Sequence, residues 1–413
     1  MRNLKRILSC LLVVAMLASM AVVVSAEETD VAIMEEEILN SITQEADTGK
    51  GLAFRIKMNI QGAKMDAWNR FINTDATATV NGEVYQVIEM GAVMANQAEK
   101  LAKMDNLTLD DVENEHVLKI PVKYLCAVPE ADYCEYAVRI INLPDAALGR
   151  AIGCRPYIVL EKDGVQSTIY GASDISTFNS VYYNIDEHKE ETPTLEISAP
   201  VAIDDRLSVT ADSAEYAAYD PATYVEAFKV NATLSNVSAN AKTSVGDTVA
   251  YTFKDAEGNV LGGTTVAIDE LTVGDTKSVE FYAPIGTATI EKAAANLNYV
   301  PDIVMPAIGS DIDVTKKKNR IRVSATEASF NEDGTIHVKW TFKNYTSNWI
   351  TEETDYIKYA YYKDGTRKGI ATLYIGVIDT KKNPVKTFEF DVPAYTTELR
   401  ITSSKIVYWT EWA

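Results

Sequence analysis

An internal repeat in the second half of the chain is the feature that most constrains its fold. Three pairs of segments match in order: Arg206–Ala211 with Arg320–Ala325, Ser235–Ser238 with Lys343–Thr346, and Val279–Pro284 with Phe388–Pro393. Arg320 follows Arg206 by 114 residues, Asn344 follows Asn236 by 108, and Pro393 follows Pro284 by 109. The change in separation places an extra loop in the first copy, at Ala217–Glu226. Two segments with one pattern of strands and turns are expected to share a fold.

Short alternating segments separated by turn residues predict an immunoglobulin-like β-sandwich in each copy. The first copy is placed at residues 201–303 and the second at residues 320–413, with a linker at 304–319. Each copy is long enough to bury a core of its own, and the chain is 47% hydrophobic. We therefore expect two independent domains, joined like beads on a string, in contrast to the stacked units of a solenoid.

A further β-sandwich domain is predicted at residues 49–185, ahead of a charged, proline-bearing linker at 186–200. The stretch Leu52–Gln61 alternates apolar and polar side chains, which is typical of a half-buried strand. Asn81-Gly82 and Asp163-Gly164 each lie between two strand patterns and suit the positive φ angles of a tight hairpin turn. The predicted fold class is mainly β, with three consecutive immunoglobulin-like β-sandwich domains.

The start of the chain has the layout of a cleaved signal peptide. Three basic residues precede or begin an apolar run, Ile7–Val24, and small residues at Val24–Ala26 come before the acidic Glu27. We place the signal peptide at residues 1–26, so the mature protein is expected to begin at Glu27 and to be exported. Residues 27–48 carry apolar side chains at helical spacing with acidic residues between them, which predicts a short amphipathic helix.

The predicted mature chain has three cysteines, Cys126, Cys134 and Cys154, so they cannot all pair with one another. Cys126 and Cys134 flank a turn-like segment and could close a small loop, while Cys154 needs a neighbour in another strand. At least one thiol is then free or intermolecular. The three histidines are far apart in the sequence and away from the cysteines, so no metal site is predicted.

The net charge of -20 limits the classes of partner. Nucleic acids and anionic membranes are bound largely through Lys and Arg, so we expect neither as a partner. No apolar run after the signal approaches the ~20 residues that a membrane helix needs, and no membrane span is expected. The predicted location is extracellular, with attachment to the cell surface left open. The expected partner is an extracellular protein or a glycan.

No set of residues in the sequence points to catalysis. Asp110-Asp111 and Asp204-Asp205 are adjacent carboxylates, but neighbours in an extended chain point apart, whereas paired catalytic carboxylates flank a bond. We interpret both pairs as solvated turn residues. No Ser, His and Asp constellation and no glycine-rich phosphate loop is recognisable. We therefore predict no enzymatic activity, no catalytic residue and no cofactor.

Strand and turn motifs in both halves carry a resemblance to known extracellular modules. The segments that resemble the FxLYD type of bacterial extracellular sandwich are Ala232–Asn236, Val249–Asp255 and Glu257–Leu261, with their counterpart Trp340–Gly369. The first domain is similar to a module of secreted proteins from anaerobic Gram-positive bacteria on Ile120–Leu125, Tyr136–Asn142 and Arg155–Tyr157. Cys126 and Cys154 depart from that pattern. The resemblance implies secreted modular β-sandwich proteins with spacer, adhesion or binding roles and no catalytic residues.

The candidate binding surface is an aromatic face of the second copy. We take Tyr251 and Phe253 as core residues of the first copy. At an offset of 109 residues their counterparts are Ala360 and Tyr362, which leaves the intervening tyrosines facing outward. Four aromatic residues are predicted to form a ligand-binding patch on two strands and an adjoining loop: Trp349, Tyr359, Tyr361 and Tyr374. Sugars and partner surfaces favour such patches. The alternative is that tyrosine serves only as a good strand residue.

These observations predict a secreted, non-enzymatic cell-surface or extracellular structural or adhesion protein built of β-sandwich modules. The alternative is a glycan-binding protein that uses the outward aromatic residues of the last domain. A hydrolase or a protease inhibitor is a third possibility that no specific residue supports.

Overall fold

The computed structural model describes residues 38–47, 49–113, 116–126, 133–196, 201–314 and 320–410. Strands account for 55% and helices for 7%, which confirms the predicted mainly β class. The predicted signal peptide, residues 1–26, lies outside the described residues. The chain divides into two compact units, one formed by Met1–Thr194 with Glu215–Lys229 and the other by Leu195–Ala214 with Val230–Ala413.

Over the described residues, the first unit has eleven named strands and two short α-helices. The strands are β1 Leu39–Asp47, β2 Gly51–Met58, β3 Lys64–Met65, β4 Phe71–Ile72, β5 Thr77–Val80, β6 Glu83–Ala95, β7 Val117–Pro121, β8 Cys134–Ile140, β9 Ile152–Lys162, β10 Val165–Tyr170 and β11 Asp174–Ser176. Helix α1 spans Ala98–Leu101 and helix α2 spans Phe178–Tyr183; 3₁₀ turns occupy Met104–Asn106, Leu109–Glu113, Asp145–Ala147 and Lys189–Glu191.

Two larger sheets enclose the main core of this unit. One has the order β1-β2-β8, and the other has the order β10-β9-β6-β5 with β7 added to β6 and β11 to β9. Phe54 and Tyr136 from the first sheet and Ile158 from the second belong to one buried apolar cluster. The hairpin turns predicted at Asn81-Gly82 and Asp163-Gly164 are confirmed, since all four residues have positive φ and close β5–β6 and β9–β10.

The helix predicted at residues 27–48 is wrong over the part that the structure describes. Leu39–Asp47 forms strand β1, which pairs antiparallel with β2 from Leu39 opposite Met58 to Asp47 opposite Gly51. The turn is fixed by Asp47, whose backbone carbonyl oxygen accepts from the N–H of Lys50 (3.0 Å) and whose carboxylate accepts from that of Gly51 (2.9 Å). Pairing with an adjacent strand gives every second backbone group a partner and overrides the helical spacing of the apolar side chains. Residues 27–37 lie outside the described residues.

The second unit holds the two copies of the repeat. Its strands are β12 Val201–Ala202, β13 Leu207–Ala217, β14 Ala227–Asn236, β15 Ala241–Lys242, β16 Asp247–Lys254, β17 Val260–Ile268, β18 Thr276–Pro284, β19 Thr289–Asn296, β20 Val300–Pro301, β21 Ile321–Phe330, β22 Ile336–Asn344, β23 Trp349–Ile350, β24 Tyr356–Lys363, β25 Thr366–Tyr374, β26 Val385–Val392, β27 Glu398–Lys405 and β28 Trp409–Thr410. Residues 215–229, at the connecting end of β13 and β14, are assigned to the first unit. They include the extra loop predicted at Ala217–Glu226.

The two copies have the same sheet order. The first copy has sheets β12-β13-β14-β18, β17-β16-β19 and β15-β20, and the second has β21-β22-β26, β25-β24-β27 and β23-β28. Strands β13 to β20 therefore correspond one by one to β21 to β28. In the second copy, Trp340 and Phe342 of β22 and Ile357 of β24 are fully buried in one cluster. Each copy thus has the paired sheets of a β-sandwich around its own apolar side chains.

The linker predicted at residues 304–319 differs from the structure over its described part, 304–314. Ile312 is fully buried in the core of the second copy. The backbone of Val304 pairs with β27, since its N–H donates to Thr397 O (3.0 Å) and its carbonyl oxygen accepts from Leu399 N (2.8 Å). The connection is therefore packed against the second copy, which differs from the free connector of beads on a string. The three-domain division remains a prediction.

The segment predicted as a linker at 186–200 is partly ordered into local structure. Lys189–Glu191 forms a 3₁₀ turn, and Leu195 is buried. His188 stacks on Tyr182 of α2 with ring centroids 3.9 Å apart. Residues 197–200 lie outside the described residues. Part of the segment that was predicted as a linker from its charged composition therefore packs against α2, through His188.

Candidate functional site

Three pairs of buried polar side chains fix the alignment of the two copies. The pairs are Asn236 and Asn344, Thr243 and Thr351, and Asp247 and Asp355. Each asparagine donates hydrogen bonds from Nδ2 to two backbone carbonyl oxygens. Each threonine hydroxyl donates to a backbone carbonyl oxygen and accepts from a backbone N–H. Each aspartate carboxylate accepts hydrogen bonds from backbone N–H groups. Each pair is separated by 108 residues. The offset of 109 used to orient β24 is therefore wrong by one residue.

A slip of one residue moves every side chain of a strand to the opposite face. With the corrected alignment, Tyr359 corresponds to Tyr251 and Tyr361 corresponds to Phe253. A register shift in the pairing with the neighbouring strand comes directly before Tyr251 in β16 and directly before Tyr359 in β24, which supports this alignment. Both second-copy tyrosines are then expected to face the core.

The outward orientation predicted for Tyr359 and Tyr361 is wrong. Tyr359 is only 5% exposed, and its ring centroid lies 5.5 Å from that of Trp340 and 4.5 Å from that of Phe390. Burial raises the pKa of Tyr359 to about 12. Tyr361 is half-buried and packs against the same apolar cluster. These two side chains stabilise the sandwich and cannot serve as an open aromatic platform.

Trp349 is half-buried, and the side chain of Arg320 covers one face of its ring. It lies in the short strand β23, which pairs with β28, and the guanidinium of Arg320 sits 3.4 Å from its ring centroid. The same guanidinium is 4.7 Å from the ring centroid of Tyr408, which meets Trp349 edge-on at 5.6 Å. This cation–π cluster holds the end of the chain against β23. Trp349 is therefore not part of an open patch with Tyr374.

Tyr374 is outward, as predicted, and is 66% exposed. It pairs across the strands with Tyr356, and the two rings meet edge-on with centroids 5.9 Å apart. Tyr356 in turn lies opposite Lys405 of β27. One row across β25, β24 and β27 therefore holds two tyrosines and a lysine. Tyr356 was not among the predicted site residues, although the correct offset of 108 would have placed it on the outer face.

The next outward row of the same sheet continues this surface. Lys358 of β24 lies opposite Thr372 of β25 and Ser403 of β27. Lys358, Lys405 and Thr372 are exposed, and Ser403 is half-buried. We call these two rows the tyrosine–lysine face; its members are Tyr356, Lys358, Thr372, Tyr374, Ser403 and Lys405. Side chains on one face of a sheet and in adjacent rows can contact a single ligand together.

The corresponding face of the first copy is small and uncharged. Its first row holds Ala267, Thr248 and Asn296, and its second row holds Thr265, Ala250 and Ala294. The same sheet therefore forms without tyrosine or lysine at these six positions. The binding patch and the alternative that the outward tyrosine is only a strand-forming residue both stay hypotheses.

A second exposed aromatic residue lies in the first unit. Trp68 is 75% exposed at the turn between β3 and β4. The carboxylate of Asp66 accepts from the backbone N–H groups of Trp68 (2.8 Å) and Arg70 (2.9 Å) and from Nε of Arg70 (2.6 Å). Hydrogen bonds from Arg70 and Trp68 hold the pKa of Asp66 below its usual range. Trp68 was not among the predicted site residues, because a lone aromatic residue in a turn has no periodicity.

The three cysteines do not pair. Cys126 is exposed, whereas Cys134 and Cys154 are buried, and all three are free thiols. Burial raises the pKa of Cys134 to about 12 and raises that of Cys154 further. Cys134 instead contacts Met90, with the two sulfur atoms 3.8 Å apart. The loop closure between Cys126 and Cys134 that the sequence left open is therefore not formed.

The adjacent carboxylates make the contacts of turn residues. Asp111 accepts from the backbone N–H of Thr108 (2.8 Å), and Asp204 accepts from those of Arg206 (2.8 Å) and Leu207 (2.9 Å). Within the described parts of the chain, no group of three or more His, Cys, Asp or Glu side chains is arranged to hold a metal ion. A groove of about 400 Å³ in the first unit is open to solvent and is lined by residues that include Asp47, Arg139 and Ile185.

Comparison with known proteins adds no family. No protein-family model matches the chain, and no curated protein has significant similarity to it. The resemblance to FxLYD-type sandwiches and to secreted modules of anaerobic Gram-positive bacteria therefore stays a hypothesis. In the part of the chain that the structure describes, no helix has both the length and the apolarity needed to cross a membrane.

Proposed function

We propose that this chain is a secreted, non-enzymatic extracellular protein with a structural or adhesion role, built of β-sandwich modules. The observation that carries the proposal is the fixed junction between the two copies of the repeat. Asn240 of the first copy is buried, and its Nδ2 donates to the carbonyl oxygens of Ala394 (2.6 Å) and Thr396 (2.8 Å) of the second. A buried, satisfied amide favours one constant orientation of the two modules, which suits a spacer or an adhesive stalk.

Two more contacts support the fixed junction. The guanidinium of Arg206 in the first copy lies 4.8 Å from the ring centroid of Phe330 in the second. Asp302 N donates to Asn240 O (2.8 Å), so the junction asparagine also holds the chain that leaves the first copy. Export itself is supported by the layout of residues 1–26, with three basic residues, an apolar run and a small-residue cleavage site.

Cell fractionation with N-terminal sequencing tests the extracellular location. The expected result is a chain in the medium or on the cell surface whose first residue is Glu27. A chain that keeps Met1 and stays in the cytoplasm would contradict the proposal. Hydrolysis of polysaccharide or peptide substrates by the purified protein would contradict the non-enzymatic role.

The second candidate function is glycan binding by the last copy. The observation that favours it is the exposed Tyr374 beside the half-buried Tyr356 on an outer sheet face. Tyrosine rings present an apolar surface with a polar tip, which suits sugar rings. A glycan array tests this function with the variant Tyr374→Ala and the control Tyr345→Ala, which removes another exposed tyrosine of the same copy. Binding that is lost only in Tyr374→Ala supports the function, and an array without binding contradicts it.

A further inference from the structure

The two lysines of the tyrosine–lysine face are available to a ligand. Lys358 and Lys405 are exposed, and neither joins an ion pair with another residue in the described ranges. Several other lysines of the second unit are neutralised within the chain: Lys242, Lys254 and Lys277 each contact an Asp or Glu. In the register of the sheet, Lys405 lies opposite Tyr356, and Lys358 follows Tyr356 by two residues on the same face of β24.

The charge of the second copy also differs from that of the first. Residues 201–303 hold six Lys and Arg against fifteen Asp and Glu, whereas residues 320–413 hold thirteen against twelve. The strong negative charge of the whole chain is therefore not shared by its last module. An anionic ligand that the rest of the surface repels can approach this module.

We propose that the tyrosine–lysine face binds an acidic polysaccharide, a chain of sugar rings that carries carboxylate groups. The inference rests on the glycan-binding candidate above and names its ligand class. Two residues along a strand and two strand spacings make the face about 7 by 10 Å. A sugar ring lies against Tyr374 and Tyr356, and its carboxylate reaches Lys405 in the same row or Lys358 in the next. The hydroxyls of Thr372 and Ser403 are placed to hydrogen-bond sugar hydroxyl groups.

Each part of the face contributes a different kind of recognition. The tyrosine rings offer contact area to the C–H side of a sugar, whatever its charge. The lysines discriminate, because an ammonium group near an uncharged ester gains little, whereas one near a carboxylate gains a charge-assisted hydrogen bond. An acidic polypeptide supplies the charge but not the flat apolar ring, so we expect it to bind more weakly. The matching face of the first copy has neither feature.

The test is equilibrium binding of the purified chain from Glu27 to two forms of one polymer, polygalacturonate and its fully methyl-esterified neutral form. The expected result is binding to polygalacturonate at least about tenfold tighter than to the ester, weakening as salt rises because exposed charges are screened. The double variant Lys358→Gln with Lys405→Gln loses that preference and the salt dependence. Tyr374→Ala weakens binding to both forms. The control double variant Lys381→Gln with Lys382→Gln removes the same charge from an exposed turn of the same copy. We expect it to keep both the preference for polygalacturonate and the salt dependence.

Further ligands separate the alternatives. Dextran sulfate distinguishes a sulfate-bearing from a carboxylate-bearing chain, and polyglutamate tests charge without sugar. Equal affinity for polyglutamate and polygalacturonate would overturn the proposal, as would a lysine double variant that keeps its preference. Tyr374-dependent binding to both forms alike would overturn the acidic class but leave glycan binding standing. An absence of binding to every polysaccharide would overturn both and leave the structural role.

Discussion

At the scale of single residues, Tyr359 shows how little separates a core side chain from a candidate ligand contact. Its ring meets Trp340 edge-on and Phe390 at a tilt inside the sandwich. Tyr374, fifteen positions later, is exposed beside Tyr356. Both lie in strands rich in tyrosine, so composition alone does not distinguish them. What distinguishes them is the side of the sheet, which depends on alignment to a single residue.

Gly369 is the residue that accommodates the inward Tyr361. It lies opposite Tyr361 across the strands, and an added Cβ would overlap the hydroxyl and ring of that tyrosine. We expect Gly369→Ala to destabilise the fold by about 1–3 kcal/mol, since the ring must leave its packed position. The matched control is Gly262→Ala in the first copy, which lies opposite Phe253 and where the nearest atom, Pro284 Cγ, is 3.6 Å away. Urea denaturation measures both, and equal effects would contradict the placement of Tyr361.

The buried thiols make stability depend on alkaline pH. Burial raises the pKa of Cys134 from 9.0 to about 12 and raises that of Cys154 as well. A thiol whose pKa rises on folding holds its proton more tightly in the folded state, so its contribution is complete below the unfolded pKa and falls as pH rises above it. We expect the urea midpoint to decrease from pH 8 to pH 9.5. The decrease of the urea midpoint should be smaller in the double variant Cys134→Ala with Cys154→Ala. A double variant whose midpoint falls as steeply with pH as that of the unmodified chain would contradict a role of the buried thiols.

At the scale of elements, the sequence predicted correctly those strands and hairpin turns whose formation depends on residues close together in the chain. The alternation in Leu52–Gln61 and the Asn81-Gly82 and Asp163-Gly164 turns correspond to β2 and two hairpins. Leu39–Asp47 was wrongly predicted as helix because its apolar spacing suits a helix, and only pairing with β2 makes it a strand. Local spacing does not contain that pairing.

The predicted binding patch was wrong for a similar reason, because the strands were predicted correctly but the two copies were aligned one residue out of register. The separation of the copies changes along the chain, and matching segments on either side do not show where each change falls. Buried pairs such as Asp247 and Asp355 show that the two copies are aligned with an offset of 108 residues. The shared role of the two aspartates is visible only in the structure, where both carboxylates accept hydrogen bonds from backbone N–H groups. Tyr374 was oriented correctly, whereas Tyr356 was missed and Tyr359 and Tyr361 were reversed. Which side chains reach the outer face depends on the alignment of the two copies to a single residue.

Asp355 is expected to hold the start of β24 to the end of the chain. Its carboxylate, fully buried, accepts from the N–H groups of Glu352 (2.9 Å) and Val407 (3.1 Å). Replacing Asp355 with Ala leaves buried donors without an acceptor, which costs about 1–3 kcal/mol. Thermal denaturation should show a lower Tm for Asp355→Ala and little change for Glu353→Ala, an exposed neighbour. Equal Tm values for the two variants would contradict this role.

At the scale of the whole molecule, the junction of the two copies bears on a structural role. Asn240→Ala removes the amide that donates to Ala394 O and Thr396 O. We expect local opening without loss of either sandwich, because each copy has its own buried apolar side chains. Hydrogen exchange should accelerate in peptides that cover Val304 and Thr396–Leu399, with little change in β22 or β14. Exchange that accelerates everywhere, or nowhere, would contradict a local junction. Asn296→Ala, at an exposed position, is the control.

The central claim is that Tyr356 and Tyr374, and not Tyr359, lie on the outer face of the last copy, where we propose that they contact a glycan. Tyrosine modification of the native chain, mapped by mass spectrometry with and without polygalacturonate, tests orientation and binding together. The account predicts rapid modification of Tyr374, protection of Tyr374 by the polysaccharide, no protection of Tyr345, and no modification of Tyr359 until the chain unfolds. Modification of Tyr359 as rapid as that of Tyr374, or Tyr374 left unprotected at saturating polysaccharide, would contradict it.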